Sequence, residues 1–382
     1  MSTDPIVISG SARTPIGSFQ GALSSLRATD LGAVAVRAAT QRARAAFTAI
    51  DRIYMGCVLS AALGQAPARQ AALGAGLSES VQATTVNKMC GSGMQAAIMA
   101  VETLQANAAD IIVAGGMESM TNAPYALPKH RNGARIGHDR VIDTMMMDGL
   151  EDAYEPGKPM GAFARDAADS YRFSRQMQDA YASGVFAAEI APVAVTNRTG
   201  PVLVDTDEQP GHARPEKIAS LKPAFSNSGT ITAASSASIS DGAAALVLTR
   251  QSVAQRLDLA VAARVVGCAA HAQSPALFTT APVGAIGKLL ADIGWTVNDV
   301  DLFEINEAVA AVAMIAAHDL GIQEDRLNVN GGATALGHPI GASGARLIVT
   351  LLAALKNRGL RRGVASLCIG GGEATAMAIE LI

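Results

Sequence analysis

Short runs of apolar residues alternate with longer amphipathic stretches along most of this chain. Pro5-Ile6-Val7-Ile8-Ser9-Gly10 is an apolar run closed by glycine and predicts a strand. Ala33 to Ala46, rich in alanine and arginine at helical spacing, predicts a helix, and Ile50 to Val58 a second strand. Thr84-Thr85-Val86 leads into a turn at Asn87-Lys88-Met89-Cys90-Gly91-Ser92-Gly93, and Met94 to Val101 follows as an apolar helix. Asp110 to Glu118 is a continuous apolar run ending in glycines, as expected of a buried strand. Strands alternating with helices predict an α/β protein with a parallel or mixed sheet covered by helices.

The same order returns in the C-terminal third. Ala262 to Gly267 matches the opening strand, and Asn298 to Ile305 matches the stretch at Ile50. Leu327-Asn328-Val329-Asn330 enters a glycine-rich turn and the apolar helix Ala345 to Leu355, as Val86 enters the Cys90 helix. Ala365 to Glu373 echoes Ile111 to Glu118. Four matched elements in one order predict two copies of one α/β unit, packed so that the site lies where their strand ends meet.

From about Ser119 to Ser238 the pattern changes. This stretch holds most of the tyrosines, the run Met145-Met146-Met147 and many charged, Pro and Gly residues, with few convincing strands. It predicts a lid or loop domain inserted in the first copy, whose last strand is Ala243 to Leu248. The expected divisions are 1–118 with 239–260, the insertion 119–238, and 261–382. Substrate recognition or an oligomer contact are the two roles such a segment can serve.

Composition narrows the class of partner. Hydrophobic residues make up 49% and charged residues 16% of 382, so the chain can bury a large core. No apolar run looks long enough to span a membrane, and Met1 to Pro5 lacks the regions of a signal peptide; the expectation is a soluble, cytoplasmic protein. A net charge of −3 with interspersed signs offers no basic stripe for nucleic acid and no polybasic membrane patch. Cys57, Cys90, Cys268 and Cys368 are widely spaced, which indicates neither a disulfide framework nor a zinc site.

Candidate chemistry begins at Cys90. A cysteine between a strand and a helix N-terminus meets unpaired N–H groups and a partial positive charge, which favour thiolate and can hold an oxyanion. Gly331 to Gly344 places His338 amid five glycines, and an imidazole can take a proton from a thiol near neutral pH. Cys368 precedes three glycines at a strand end, a second thiol able to shuttle a proton. Asn306, after the strand Leu302 to Ile305, can orient water or donate to an oxyanion, or else simply cap a surface turn.

Asn87 to Gly93, Asn306-Glu307-Ala308, Asn330 to Ala333, Gly337 to Gly344 and Cys368 to Gly372 together resemble the thiolases, and among them the acetyl-CoA acetyltransferases. The resemblance spans essentially the whole chain. It implies a five-layered αβαβα core, a dimer or tetramer, and coenzyme A thioesters as substrates, acetyl-CoA and acetoacetyl-CoA, with no resident cofactor. It also implies that Cys90 is acylated, His338 activates it, and Cys368 is the acid/base for the second thioester. Asn306 would hold a water that forms one oxyanion hole with His338, and the N–H groups of Cys90 and Gly370 would form the other. Leu150, Met160, Phe225, Ala233 and Ala237 match positions that line the coenzyme.

Three features depart from the family pattern. Ala237 stands where many members have a serine on the pantetheine arm, so that contact would either be lost or move to Ser236 or Ser238. Pro159 replaces a histidine, and the run from Tyr181 to Phe186 is short by two to three helical turns. The expected reaction is the reversible condensation of two acetyl-CoA. The alternatives are a 3-ketoacyl-CoA thiolase for longer chains, a decarboxylating ketoacyl synthase, against which Cys368 argues, and a non-catalytic acyl-CoA-binding scaffold.

Overall fold

Two helices occupy the middle of the structure, and everything else is stacked on them. The structure is a computed structural model of the 382-residue chain and describes residues 4–171, 188–197, 200–212, 214–218, 220–224 and 229–382. The helices are α3 (Ser92–Gln105) and α7 (Ile340–Arg358). In α7, 15 of 19 residues are buried, including both glycines and three of its four alanines, so it keeps almost no solvent face. The two helices approach closely at Gly93 and Gly344: a Cβ on Gly344 would lie 2.4 Å from the backbone nitrogen of Met94.

One side of this pair packs on a sheet of the first half. Its strands are β1 (Ile6–Arg13), β2 (Arg52–Gly56), β3 (Gln82–Val86), β4 (Ile111–Ser119) and β5 (Ser240–Arg250), in the order β1-β5-β4-β2-β3. β5 runs antiparallel to β1 and β4, while β2 runs parallel to β3 and β4, so the sheet is mixed. The other side meets β6 (Ala263–Ala272), β7 (Leu302–Ile305), β8 (Arg362–Ile369) and β9 (Glu373–Leu381), in the order β6-β9-β8-β7. β9 is antiparallel to β6 and β8 and β7 is parallel to β8, repeating the first pattern. The sheets are joined at one seam, Val7 with Arg264 and Ile8 with Ala263.

Outer helices close the stack. α1 (Ala28–Arg42) and α2 (Pro67–Ala75) cover the first sheet, and α5 (Ala281–Ile293), backed by α6 (Ala310–Leu320), covers the second. The result is the five-layered αβαβα arrangement of two like halves that the sequence repeat and the family resemblance predict. The repeat is imperfect in one place: the counterpart of β3 at Leu327 makes only a single bridge, to Phe303. The expected helix at Ala345 to Leu355 begins earlier, at Ile340, because Pro339 fits the residue before a first turn.

Between β4 and β5 the described residues include a ribbon of Tyr125–Ala126 with Ile142–Asp143, helix α4 (Met160–Ser170), and a ribbon of Val193–Asn197 with Gly200–Val204. Buried Arg13 of β1 ties this segment to the first half by donating to Glu189 at 2.5 Å and Asp207 at 2.6 Å. The shortened run Tyr181 to Phe186 lies outside the described residues, as does Phe225. One reading from composition is corrected: Pro275–Ile293, 19 residues, is long and apolar enough to cross a membrane. Here it is kinked at Leu277 and lies against the second sheet.

Candidate active site

Cys90 sits in the turn between β3 and α3, two residues before the helix proper. Lys88 N–H donates to the Ser92 hydroxyl, which donates to the Met89 carbonyl at 2.6 Å, and Met89 N–H donates to Oδ1 of Asn87. These bonds hold Met89 at φ 48°, a left-handed conformation unusual for a branchless but long side chain. Met89, rather than Gly91 or Gly93, therefore takes the left-handed conformation in this turn. The glycines serve close approach instead: a Cβ at Gly91 would fall 2.3 Å from Cδ1 of Ile369. Lys88 reaches across to Glu373, joining this turn to the one after β8.

The second half brings up the other groups. Cys368 is the penultimate residue of β8 and is 1% exposed; the N–H of Gly370, just beyond the strand, lies against the sulfur of Cys90, as does Cys90's own N–H. His338 precedes α7, its N–H held by the Ser238 carbonyl at 3.0 Å. Nδ1 of His338 is 2.6 Å from the Ser343 hydroxyl, which donates its only hydrogen to the Pro339 carbonyl. Ser343 must then accept, so the ring proton belongs on Nδ1 and Nε2 is left bare. The amide of Asn306 stands 3.4 Å from that Nε2.

Burial sets the protonation states. It pushes the Cys90 thiol up to about 11, and the N–H groups of Gly370 and Cys90 only partly oppose this. It also lowers His338 to about 3, with the nearby Arg346 charge acting in the same direction. Cys368 is raised by burial and then by the neighbouring Cys90. The expectation of a resting thiolate at the helix end is thus corrected: removal from water outweighs the two hydrogen bonds, and the pair rests as neutral thiol and neutral imidazole.

An apolar cavity of about 470 Å³ opens onto these groups. Cys90, His338, Cys368 and Gly370 line it, as do Leu150, Met160, Ala233 and Ala237. Asn306 is fully buried behind His338 rather than in the wall, which removes the surface-cap alternative. Ser236 and Ser238 flank Ala237 in the lining; the Ser236 hydroxyl has no partner among the described residues, while that of Ser238 meets Ser240 at 3.1 Å.

Three carboxylates that sequence patterns passed over hold the site together. Glu118, at the end of β4, accepts N–H bonds from Val58 and Leu59 of its own half and from Gly341 of α7 at 2.9–3.1 Å. Burial raises it to about 7. Glu307 binds Asn328, Thr334 and the Thr334 N–H, fixing the glycine loop ahead of His338. Glu304 pairs with Arg346 of α7 at 2.6 Å. The signal available for them was a charged residue inside an otherwise apolar or glycine-rich run, as in Met117-Glu118-Ser119 and Phe303-Glu304-Ile305.

Two thiols, an imidazole with a bare nitrogen and convergent N–H groups at the end of an apolar cavity suit an enzyme that carries an acyl group on cysteine. Comparison with known proteins places the chain within that class. The pattern of the thiolase N-terminal domain matches residues 6–252 and that of the thiolase C-terminal domain residues 259–381. Acetyl-CoA acetyltransferase 1 of Arabidopsis thaliana is 47% identical over 99% of this chain and 94% of its own length. An acetyl-CoA acetyltransferase of Escherichia coli (strain K12) is 46% identical over 98% of both. The crystal structure of the Bacillus anthracis acetyl-CoA acetyltransferase superposes with a TM-score of 0.95 at 36% identity, covering 99% of each chain. The chain belongs to the thiolase family, and is an acyltransferase.

Proposed function

We propose that the protein condenses two acetyl-CoA to acetoacetyl-CoA and CoA, reversibly, through an acetyl group carried on Cys90. The observation that carries this reading is the convergence of Cys90, Cys368, Gly370 and His338 on one apolar cavity, with Nε2 of His338 free to accept. In the first half-reaction Nε2 takes the Cys90 proton as sulfur attacks the thioester carbonyl. The N–H groups of Cys90 and Gly370 receive the oxyanion, and Cys368 gives its proton to the departing CoA thiolate.

The second half-reaction starts with imidazolium and a Cys368 thiolate. That thiolate removes the α-proton of the second acetyl-CoA, while protonated His338 and a water on Asn306 hold the enolate oxygen. The carbanion attacks the acetyl group on Cys90; the released Cys90 sulfur recovers its proton from His338. Every proton is returned, so neutral resting groups suffice.

Leu150, Met160, Ala233 and Ala237 support the pantetheine arm in this reading, and Ser236, in the same lining and with no hydroxyl partner among the described residues, supplies the polar contact that Ala237 cannot. Phe225 is assigned to the same coenzyme by the family resemblance alone. The proposal extends to coenzyme A thioesters as substrates with no resident cofactor, a cytoplasmic location, and a homodimer or homotetramer. Exposed Tyr125 and Val141, at 68% and 60%, support the last as apolar surface on the inserted segment.

Incubation with acetyl-CoA followed by mass measurement tests the reading: one acetyl group, mapped to Cys90, is expected. A protein that gains none overturns it. Thiolysis across chain lengths tests the substrate, and a strong preference for chains of about eight carbons or more would overturn the acetyl assignment.

A further inference from the structure

Behind Asn306 lies a charged pair that the chemistry above leaves without a task. Arg346 and Glu304 are each about 2% exposed, and Nη1 of Arg346 donates to Oε1 of Glu304 at 2.6 Å. The other arm of the guanidinium, Nη2, reaches Oδ1 of Asn306 at 3.5 Å. Ion pairs this deep contribute little net stability, because desolvation offsets their attraction. Apolar residues of the same volume would pack β7 on α7 at least as well.

The pair makes physical sense through the amide. Asn306 can stand either way round in its slot, with its oxygen or its nitrogen toward His338. A guanidinium has only donors, so it accepts one orientation: oxygen toward Arg346, N–H toward the ring. Reversed, two donors would face each other at Arg346 and two acceptors at the bare Nε2. The backbone of Asn306 is already fixed, its N–H on the Ser366 carbonyl at 3.0 Å, so side-chain rotation is the freedom left to control.

We propose that Arg346, held in place by Glu304, is a positioning residue that fixes the Asn306 amide with its N–H toward His338 and the cavity. The inference rests on the role given to Asn306 above: a preset N–H holds the water that meets the enolate, with no reorganisation during the reaction.

A double-mutant cycle in the full-length protein tests it, with condensation of acetyl-CoA as the readout. Glu304→Gln with Arg346→Met removes both charges, so that no lone charge is left buried. It is expected to lower kcat about tenfold to a hundredfold with KM changed less than about twofold. In an Asn306→Ala background the same two substitutions should change kcat by less than about twofold. Equal losses in both backgrounds, or none in the first, overturn the proposal while leaving the role of Asn306 standing. If Asn306→Ala alone condenses at the wild-type rate, the role of Asn306 falls and the proposal falls with it. Should the charge-free pair fail to fold, Arg346→Lys keeps the charge but not the planar fork and is read in the same cycle, with the same outcomes deciding.

Discussion

The two halves carry the same elements in the same order but deliver different chemistry from matching places. In the first half the turn into α3 presents Cys90 among backbone N–H groups, and Cys57 directly follows β2, a thiol turned to Glu118 and raised by burial. In the second, the turn into α7 presents His338, Asn306 directly follows β7, and Cys368 lies one residue before the end of β8. The second half holds its side chains with three buried charges, Glu304, Glu307 and Arg346, beside a left-handed Asn328, where the first uses left-handed backbone at Met89 and one carboxylate, Glu118. A duplicated scaffold can therefore divide labour, because each strand end is already aimed at the same place. The nucleophile's half needs shape, and the acid–base half needs fixed protonation and orientation.

The sharpest way to break this comparison is to remove one thiol at a time. Cys90→Ser should lower turnover by about four orders of magnitude or more with the fold retained, because a hydroxyl at that site does not ionise. Turnover near the wild-type rate, beside an unchanged thermal unfolding curve, would move the nucleophile elsewhere. Cys368→Ala should still acquire an acetyl group, yet condense about a thousandfold more slowly and lose exchange of the acetyl methyl protons in D₂O. Mass spectrometry beside the exchange rate separates the two half-reactions. Wild-type exchange in this variant would make Cys368 a structural residue.

Packing between the halves is the next target. Gly344→Ala would set a Cβ 2.4 Å from the Met94 nitrogen, a backbone atom with no way to give, and should cost about 3 kcal/mol in chemical denaturation. On the outer layer, a Cβ on Gly287 of α5 would meet nothing beyond its own helix within 4 Å among the described residues, so Gly287→Ala should stabilise by about 0.5–1 kcal/mol. Equal effects at the two sites would mean that the central contact is not tight.

A smaller effect distinguishes the protonation states. His338 is lowered to about 3, so between pH 6.5 and 3 the unfolded chain binds a proton that the native state refuses, and stability falls as pH falls. Glu118 and Glu304, raised to about 7, act oppositely, since the native state takes up their protons first as pH falls from 7 toward 4.5. Subtraction isolates the histidine: relative to wild type, His338→Asn should gain about 1.4 kcal/mol per pH unit below 6.5. A difference flat with pH would show a charged imidazole in the native state. The least effect belongs to Lys88→Met, which breaks a partly exposed pair with Glu373 and should cost less than about 1 kcal/mol.

Much of this layout is legible in the sequence, because it depends on local signals. Apolar runs closed by glycine mark the strands, and the repeat from Ala262 to Glu373 carries the duplication in the sequence itself. Cys90, His338 and Cys368 each stood beside glycines at a predicted turn, and Asn306 directly followed a strand. Proton affinity was not legible: Cys90 has the helix-end setting that lowers a thiol, yet its burial decides the outcome, and burial depends on chain far away. Glu118 and Arg346 were hidden for the same reason. Their partners, Gly341 and Glu304, lie 223 and 42 residues away. The left-handed backbone at Met89 gave no warning, since methionine is not a residue that announces such a conformation.

A helix such as α7, wrapped along most of its length, makes each half depend on the other. One half alone would present the inner faces of its sheet and helix to water, an aggregation hazard during synthesis. The strand seam between β1 and β6 is only two residue pairs long, so the buried faces of α3 and α7 rather than strand pairing hold the halves together. Severing the chain in the connection near Leu257 and expressing the pieces together should accordingly restore an active heterodimer, whereas neither piece expressed alone should stay in solution.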